Sequence, residues 1–101
     1  MIMVSGRGKN MESIIKSCQK KNWPINIVGV ISDNNCNAIK LANYLKIENW
    51  VVDRKKFDNS RDFDESLSTL LLKLDPTLIA LAGFMHILSE KFCKKFDGKI
   101  V

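Results

Sequence analysis

Pro76-Thr77-Leu78-Ile79-Ala80-Leu81-Ala82-Gly83-Phe84-Met85-His86-Ile87-Leu88 is the segment around which the rest of the chain is ordered. Asp75-Pro76 ends whatever helix precedes it, because proline cannot continue one. Leu78 to Ala82 is apolar at successive residues, without the alternation of a half-exposed strand. Such a run predicts a strand buried on both faces in the middle of a parallel sheet. Gly83 ends the strand at its carboxyl edge, where open α/β sheets place their ligands. Ser89-Glu90 then opens a helix. Between strand and helix lies the apolar loop Phe84 to Leu88, which holds the chain's one histidine where a flat organic ligand would sit.

Working outward, the residues just before this strand form a second clear pattern. Phe63, Leu67, Leu70, Leu71 and Leu74 recur at the spacing of a core-facing helical stripe. After the strand, Phe92, Cys93 and Phe96 predict one face of a last helix. Gly98 stops it as a left-handed residue, and Lys99-Ile100-Val101 begins a fifth strand. At the other end, Met1 to Val4 reads as a first strand and runs into Ser5-Gly6-Arg7-Gly8-Lys9-Asn10. A helix with Met11, Ile14, Ile15 and Cys18 on one face follows, and Asn10 is its expected N-cap. Strand, glycine loop and helix start is the arrangement in which backbone N–H groups converge on an anion. A side chain at Gly8 would be expected to crowd that anion. Met11 stands where a dinucleotide fingerprint needs its third glycine, so the bare pattern leaves phosphate binding and a merely tight turn both open.

Trp23-Pro24 closes the first helix region, and Ile25 to Ile31 is a second strand rich in β-branched residues. Ser32-Asp33-Asn34-Asn35 is a turn. Asn37 is then expected to cap a helix with Ile39, Ala42 and Leu45 on its apolar face. Trp50-Val51-Val52 is a short third strand, and Asp53 to Arg61 reads as a polar loop. The order β-α-β-α-β-α-β-α-β implies an α/β fold, a Rossmann-like parallel sheet between two helical layers, with right-handed crossovers.

Composition narrows the function. The chain has 101 residues, enough for at most one domain. Its net charge of +5 comes from scattered lysines, which read as a solvated surface and not as a nucleic-acid patch. Three cysteines, Cys18, Cys36 and Cys93, lack any Cys-x-x-Cys spacing and suggest reduced thiols and a cytoplasmic setting. No apolar run approaches the ~20 residues of a membrane span, and no ligand cluster suggests a metal.

Three segments together resemble the folate-dependent glycinamide ribonucleotide formyltransferases of purine biosynthesis: Ser5 to Asn10, Val28-Gly29-Val30-Ile31-Ser32-Asp33, and Leu81 to Ser89. The last is close to the family's Leu-Ala-Gly-Phe-Met-Arg-Ile-Leu-Ser, with His86 in place of arginine. The likeness spans the whole chain and about the first half of a family member. It implies the formyltransferase fold, here stopping after about five strands, with 10-formyltetrahydrofolate as co-substrate and glycinamide ribonucleotide as acceptor. Gly8, Lys9 and Asn10 match the loop that holds the ribose phosphate. Met85, His86, Ile87 and Leu88 match the segment lining the folate pocket. Arg61 is the candidate for a folate-contacting arginine in the third crossover, although gapless matching from Phe57 places Ser60 there.

In the family the substrate amine attacks the formyl carbon, polar side chains stabilise the oxyanion, and a histidine and an aspartate manage the proton. The resemblance puts the catalytic asparagine, histidine and aspartate after Val101, so residues 1–101 are expected to bind and not to catalyse. His86 stands at an arginine position and receives no proton-transfer role. Blander readings accompany these. Phe84, Ile87 and Leu88 also suit a core, Lys9 also suits solvent, and Arg54-Lys55-Lys56 reads as a solvated charge run. A sibling formyltransferase or a formyltetrahydrofolate hydrolase would not need the loop for a ribose phosphate. A non-catalytic phosphate-binding module would lack the Phe84–Leu88 segment.

Overall fold

A computed structural model describes residues 1–6, 8–20, 26–84, 86 and 88–101, with Gln19 described by its backbone only. The elements are β1 (Ile2–Val4), α1 (Lys9–Lys20), β2 (Val30–Ser32), α2 (Asn37–Tyr44), β3 (Asn49–Val51), a 3₁₀ turn (Arg54–Lys56), α3 (Ser60–Leu74), β4 (Ala80–Leu81) and α4 (Glu90–Lys95). All described strand pairings are parallel, and the sheet runs β3-β2-β1-β4. The chain therefore leaves β1 toward one side of the sheet and returns to its other side at β4. That reversal opens a crevice at the carboxyl ends of β1 and β4, the usual ligand position in such sheets.

Alternation along the strands builds the two helical layers. Met1, Met3, Ile31 and Ile79 pack with Phe63, Leu67 and Leu71 of α3 and Phe92 and Phe96 near α4. Ile2, Val4, Val30 and Ala82 face the other way, onto Met11 and Ile15 of α1 and Ala38, Ile39 and Ala42 of α2. The expected three-layer α/β architecture is the one observed. No helix among the described residues is long and apolar enough to cross a membrane.

Several boundaries differ from the expectation, each for a local reason. β2 begins at Val30, not Ile25, because β1 offers its first partner at Ile2, opposite Val30. Ile25 and Trp23-Pro24 lie outside the described residues. β3 covers Asn49–Val51 instead of Trp50–Val52, although the Val52 N–H still donates to the Ser32 carbonyl at 2.9 Å. The stretch from Asp53 is not a plain loop. Asp53 caps a 3₁₀ turn by accepting from the Lys55 N–H, and Asn59 caps α3 by accepting from the Asp62 N–H. Arg61 is thus helical.

The run Leu78 to Ala82 is buried only in part. Ile79 and Ala82 enter the two cores, whereas Leu78 and Leu81 are 48% and 39% exposed. The run lies between β1 and residues 99–101, which it meets through a parallel bridge from Ile79 to Ile100 and the Leu81 N–H donating to the Val101 carbonyl at 3.3 Å. Neither Asn10 nor Asn37 is an N-cap: α1 starts at Lys9, and Cys36 precedes α2 without a side-chain cap bond. Cys93 is exposed, so the inner face of α4 is Phe92, with Phe96 just beyond it. At the end of α3, Asp75 takes a left-handed conformation (φ 46°) before Pro76, which disfavours helix in its predecessor.

Candidate functional site

Two loops form the crevice, one following β1 and one following β4. In the first, Gly8 has φ +86°, and a Cβ there would stand 3.0 Å from Ala38 Cα and 3.1 Å from Ala38 Cβ. The Gly6 carbonyl accepts from the Ala38 N–H at 3.2 Å. The glycine loop is therefore pressed against α2, and the crowding at Gly8 comes from that helix and not from the space an anion would fill. Gly6 differs, having nothing among the described residues within 4 Å of an added Cβ. In the second loop Gly83 has φ +74°, and its Cβ position lies 3.8 Å from Asn10 Nδ2.

Gly6, Gly8, Lys9 and Asn10 line a cavity of about 200 Å³ with Ala82 and Gly83. The three residues expected at the anion thus stand together, beside the end of β4. The first N–H groups of α1 have no acceptor within their own helix. They add a partial positive charge to that of Lys9, and no carboxylate lines the cavity among the described residues.

A second cleft, of about 510 Å³, is lined by Arg54, Ser60, Phe63, Asp64, His86, Leu88 and Ser89. His86 and Leu88 of the expected folate wall are here, while Met85 and Ile87 lie outside the described residues. Ser60, the gapless match, lines this cleft. Arg61 lines a neighbouring groove between α3 and α4, next to Glu65, with its Nε 3.9 Å from the carboxylate. The cation lining the cleft is Arg54. Its run of charges suggests solvent, yet its guanidinium donates to the Phe57 carbonyl at 3.1 Å and lies 5.9 Å over the Phe63 ring. Its place three residues past a strand end was the one signal for it. Asp64 and Ser89 shape the floor: Asp64 Oδ2 accepts from the Ser89 N–H at 3.1 Å, and Ser89 Oγ caps α4 through the Phe92 N–H.

Asp33, at the end of β2, joins the two loops. Its carboxylate is nearly inaccessible, with the side chain 3% exposed. Oδ2 accepts from His86 Nε2 at 2.7 Å and from Ser5 Oγ at 3.0 Å. Oδ1 accepts from Asn34 Nδ2 at 2.7 Å, which also donates to the Ser5 carbonyl at 3.0 Å. The His86 ring lies between Phe63 and Phe84, with centroids 5.4 and 5.9 Å away. Both aromatic neighbours and the carboxylate thus orient it. In the sequence Asp33 stands in a turn and at the end of one resemblance segment, with no role attached to it.

Known proteins resemble this chain throughout its length. The pattern of the family described as formyl transferase matches residues 1–101. A phosphoribosylglycinamide formyltransferase of Haemophilus influenzae is 38% identical over 102 residues, covering 99% of this chain and 48% of that protein. A trifunctional purine biosynthetic protein of Gallus gallus is 36% identical over 101 residues, which is 10% of its length. The solved phosphoribosylglycinamide formyltransferase of Brucella melitensis superposes with a TM-score of 0.91 at 34% identity, over 98% of this chain and 52% of that one. The chain spans about half the length of the single-function relatives it matches. With a family match across every residue and a shared fold to go with it, the chain belongs to the formyl transferase family.

Proposed function

We propose that residues 1–101 form the substrate-binding half of a glycinamide ribonucleotide formyltransferase domain in purine biosynthesis. The glycine-loop cavity takes the ribose phosphate, and the cleft beside His86 takes the folate that donates the formyl group. One observation carries this reading: a cationic cavity at a helix start and an aromatic-walled cleft flank the same loop after β4. The first suits a phosphate monoester. The second, with apolar walls and a few polar groups, suits a flat heterocycle. Formyl transfer needs an amine and a formyl carbon brought together, and adjacent sites supply that proximity. Gly8, Lys9 and Asn10 hold the acceptor by its phosphate. Phe63, His86 and Leu88 flank the donor, and Arg54 offers a charge to an anionic part of it. His86 is bonded to Asp33 and moves no proton.

The test is Gly6→Asp, which places a carboxylate at the phosphate cavity where a side chain meets no neighbour. Like charges about 4 Å apart repel by ~1 kcal/mol in water and more where water is partly excluded. Glycinamide ribonucleotide should bind tenfold or more weakly, with folate binding unchanged. Undiminished ribonucleotide affinity would end the phosphate assignment.

A further inference from the structure

We propose that Asp33 is a positioning residue that holds the two substrate loops in one frame, so that occupancy of one cavity is felt at the other. A single buried oxygen, Oδ2, accepts hydrogen bonds from Ser5, which leads into the glycine loop, and from His86, which lies on the wall of the second cleft. Asn34 closes the arrangement by bonding both the second carboxylate oxygen and the Ser5 carbonyl. The backbone of Asp33 is fixed as well, its carbonyl accepting from the Arg54 N–H at 3.0 Å. Arg54 lines the same cleft as His86, so three strand ends and the 3₁₀ turn all refer to this one residue.

Buried polar groups are costly unless satisfied, and a shared acceptor makes each of its bonds depend on the other's geometry. If the glycine loop shifts on binding an anion, Ser5 moves relative to Oδ2 and the His86 contact must adjust. The imidazole donates through Nε2 whether neutral in that tautomer or protonated, so the connection does not depend on the ring's charge. A side chain with two nearby loops as its bonding partners, and no place in either cavity lining, has the geometry of a coupler and not of a ligand-binding group.

His86 is the chain's one histidine, so its ring resonances report on the frame without ambiguity. The inference rests on the two-site reading for its consequence but not for its first measurement. In ligand-free protein, Ser5→Ala should shift the His86 ring signals, and in an Asp33→Ala background the same change should leave them in place. Asp33→Asn, which keeps the volume and one acceptor oxygen, should give an intermediate response and carries the comparison if Asp33→Ala does not fold. Equal shifts with and without the carboxylate would overturn the proposal.

The second measurement uses ribose 5-phosphate and folic acid as probes. Saturating folic acid should change the Kd for ribose 5-phosphate about fivefold or more in the wild type, and by much less in Asp33→Asn. A full-sized effect in Asp33→Asn would refute coupling through Asp33. Should neither probe bind the wild type, the two-site reading fails, and the ligand-free comparison alone decides the frame.

Discussion

Replacing Gly8 with alanine should damage the fold more than the binding chemistry. Two costs act at this position. An L-residue held at φ +86° pays about 1–2 kcal/mol in steric strain. The new methyl would also meet Ala38 Cα at 3.0 Å, a backbone atom of a packed helix that cannot swing aside, and over-packing of this kind costs about 1–3 kcal/mol. The expected loss is therefore roughly 2–5 kcal/mol, a large part of the ~5–15 kcal/mol that holds a typical domain together. Gly6→Ala is the control, because nothing lies within 4 Å of its Cβ; surface changes of that sort stay within about 0.5 kcal/mol. Thermal denaturation followed by circular dichroism reads both variants. Gly8→Ala should lower Tm by at least about 10 °C and Gly6→Ala by only a few degrees. Equal losses in the two, or a Gly8→Ala protein as stable as the wild type, would mean that the loop is not seated against α2 as described.

Other outcomes follow from single contacts. Phe63→Ala removes a fully buried ring that touches Phe57 and His86; a loss of about 3–5 kcal/mol is expected in denaturation, and less than ~1 kcal/mol would contradict its core position. Asn59→Ala deletes the side-chain acceptor for the Asp62 N–H at 2.8 Å and should cost about 1 kcal/mol, with Asn59→Asp restoring most of it. The α-amino group of Met1 is held below its ordinary 8.0 by burial. The unfolded chain therefore binds more protons below pH 8.0, and this group's contribution to stability falls as pH drops through the folded value. A denaturation midpoint that rises toward pH 8.0, and loses that part of its rise on N-terminal acetylation, is the expected result.

The kinds and order of elements were legible because burial leaves a period. The leucines of α3 repeat at helical spacing, and Phe63, Leu67 and Leu71 are indeed the buried ones. Gly98 announced the positive φ that it has, and Gly8 has one as well. Extent was less legible. The apolar run at Leu78 to Ala82 carries no information on how far the helices above and below reach, and so its two leucines were expected inside. That Gly8, Lys9 and Asn10 line one cavity was legible because the grouping is local in sequence, whereas groupings that depend on the meeting of distant loops were not. Asp33 carried no sign of what it bonds, since its partners Ser5 and His86 come from two other strand ends. Arg54 was masked by two neighbouring lysines of the same charge.

The seat of the glycine loop also gives Ala38 a meaning that its own surroundings do not suggest. It belongs to the second helix and does not line the cavity at the loop, yet its smallness sets how closely that loop can approach. A serine or valine at 38 would push from behind, shifting the backbone of the glycine loop while leaving every lining residue unchanged. The shape of the glycine-loop cavity can therefore be set by a position that no inspection of the cavity wall would select.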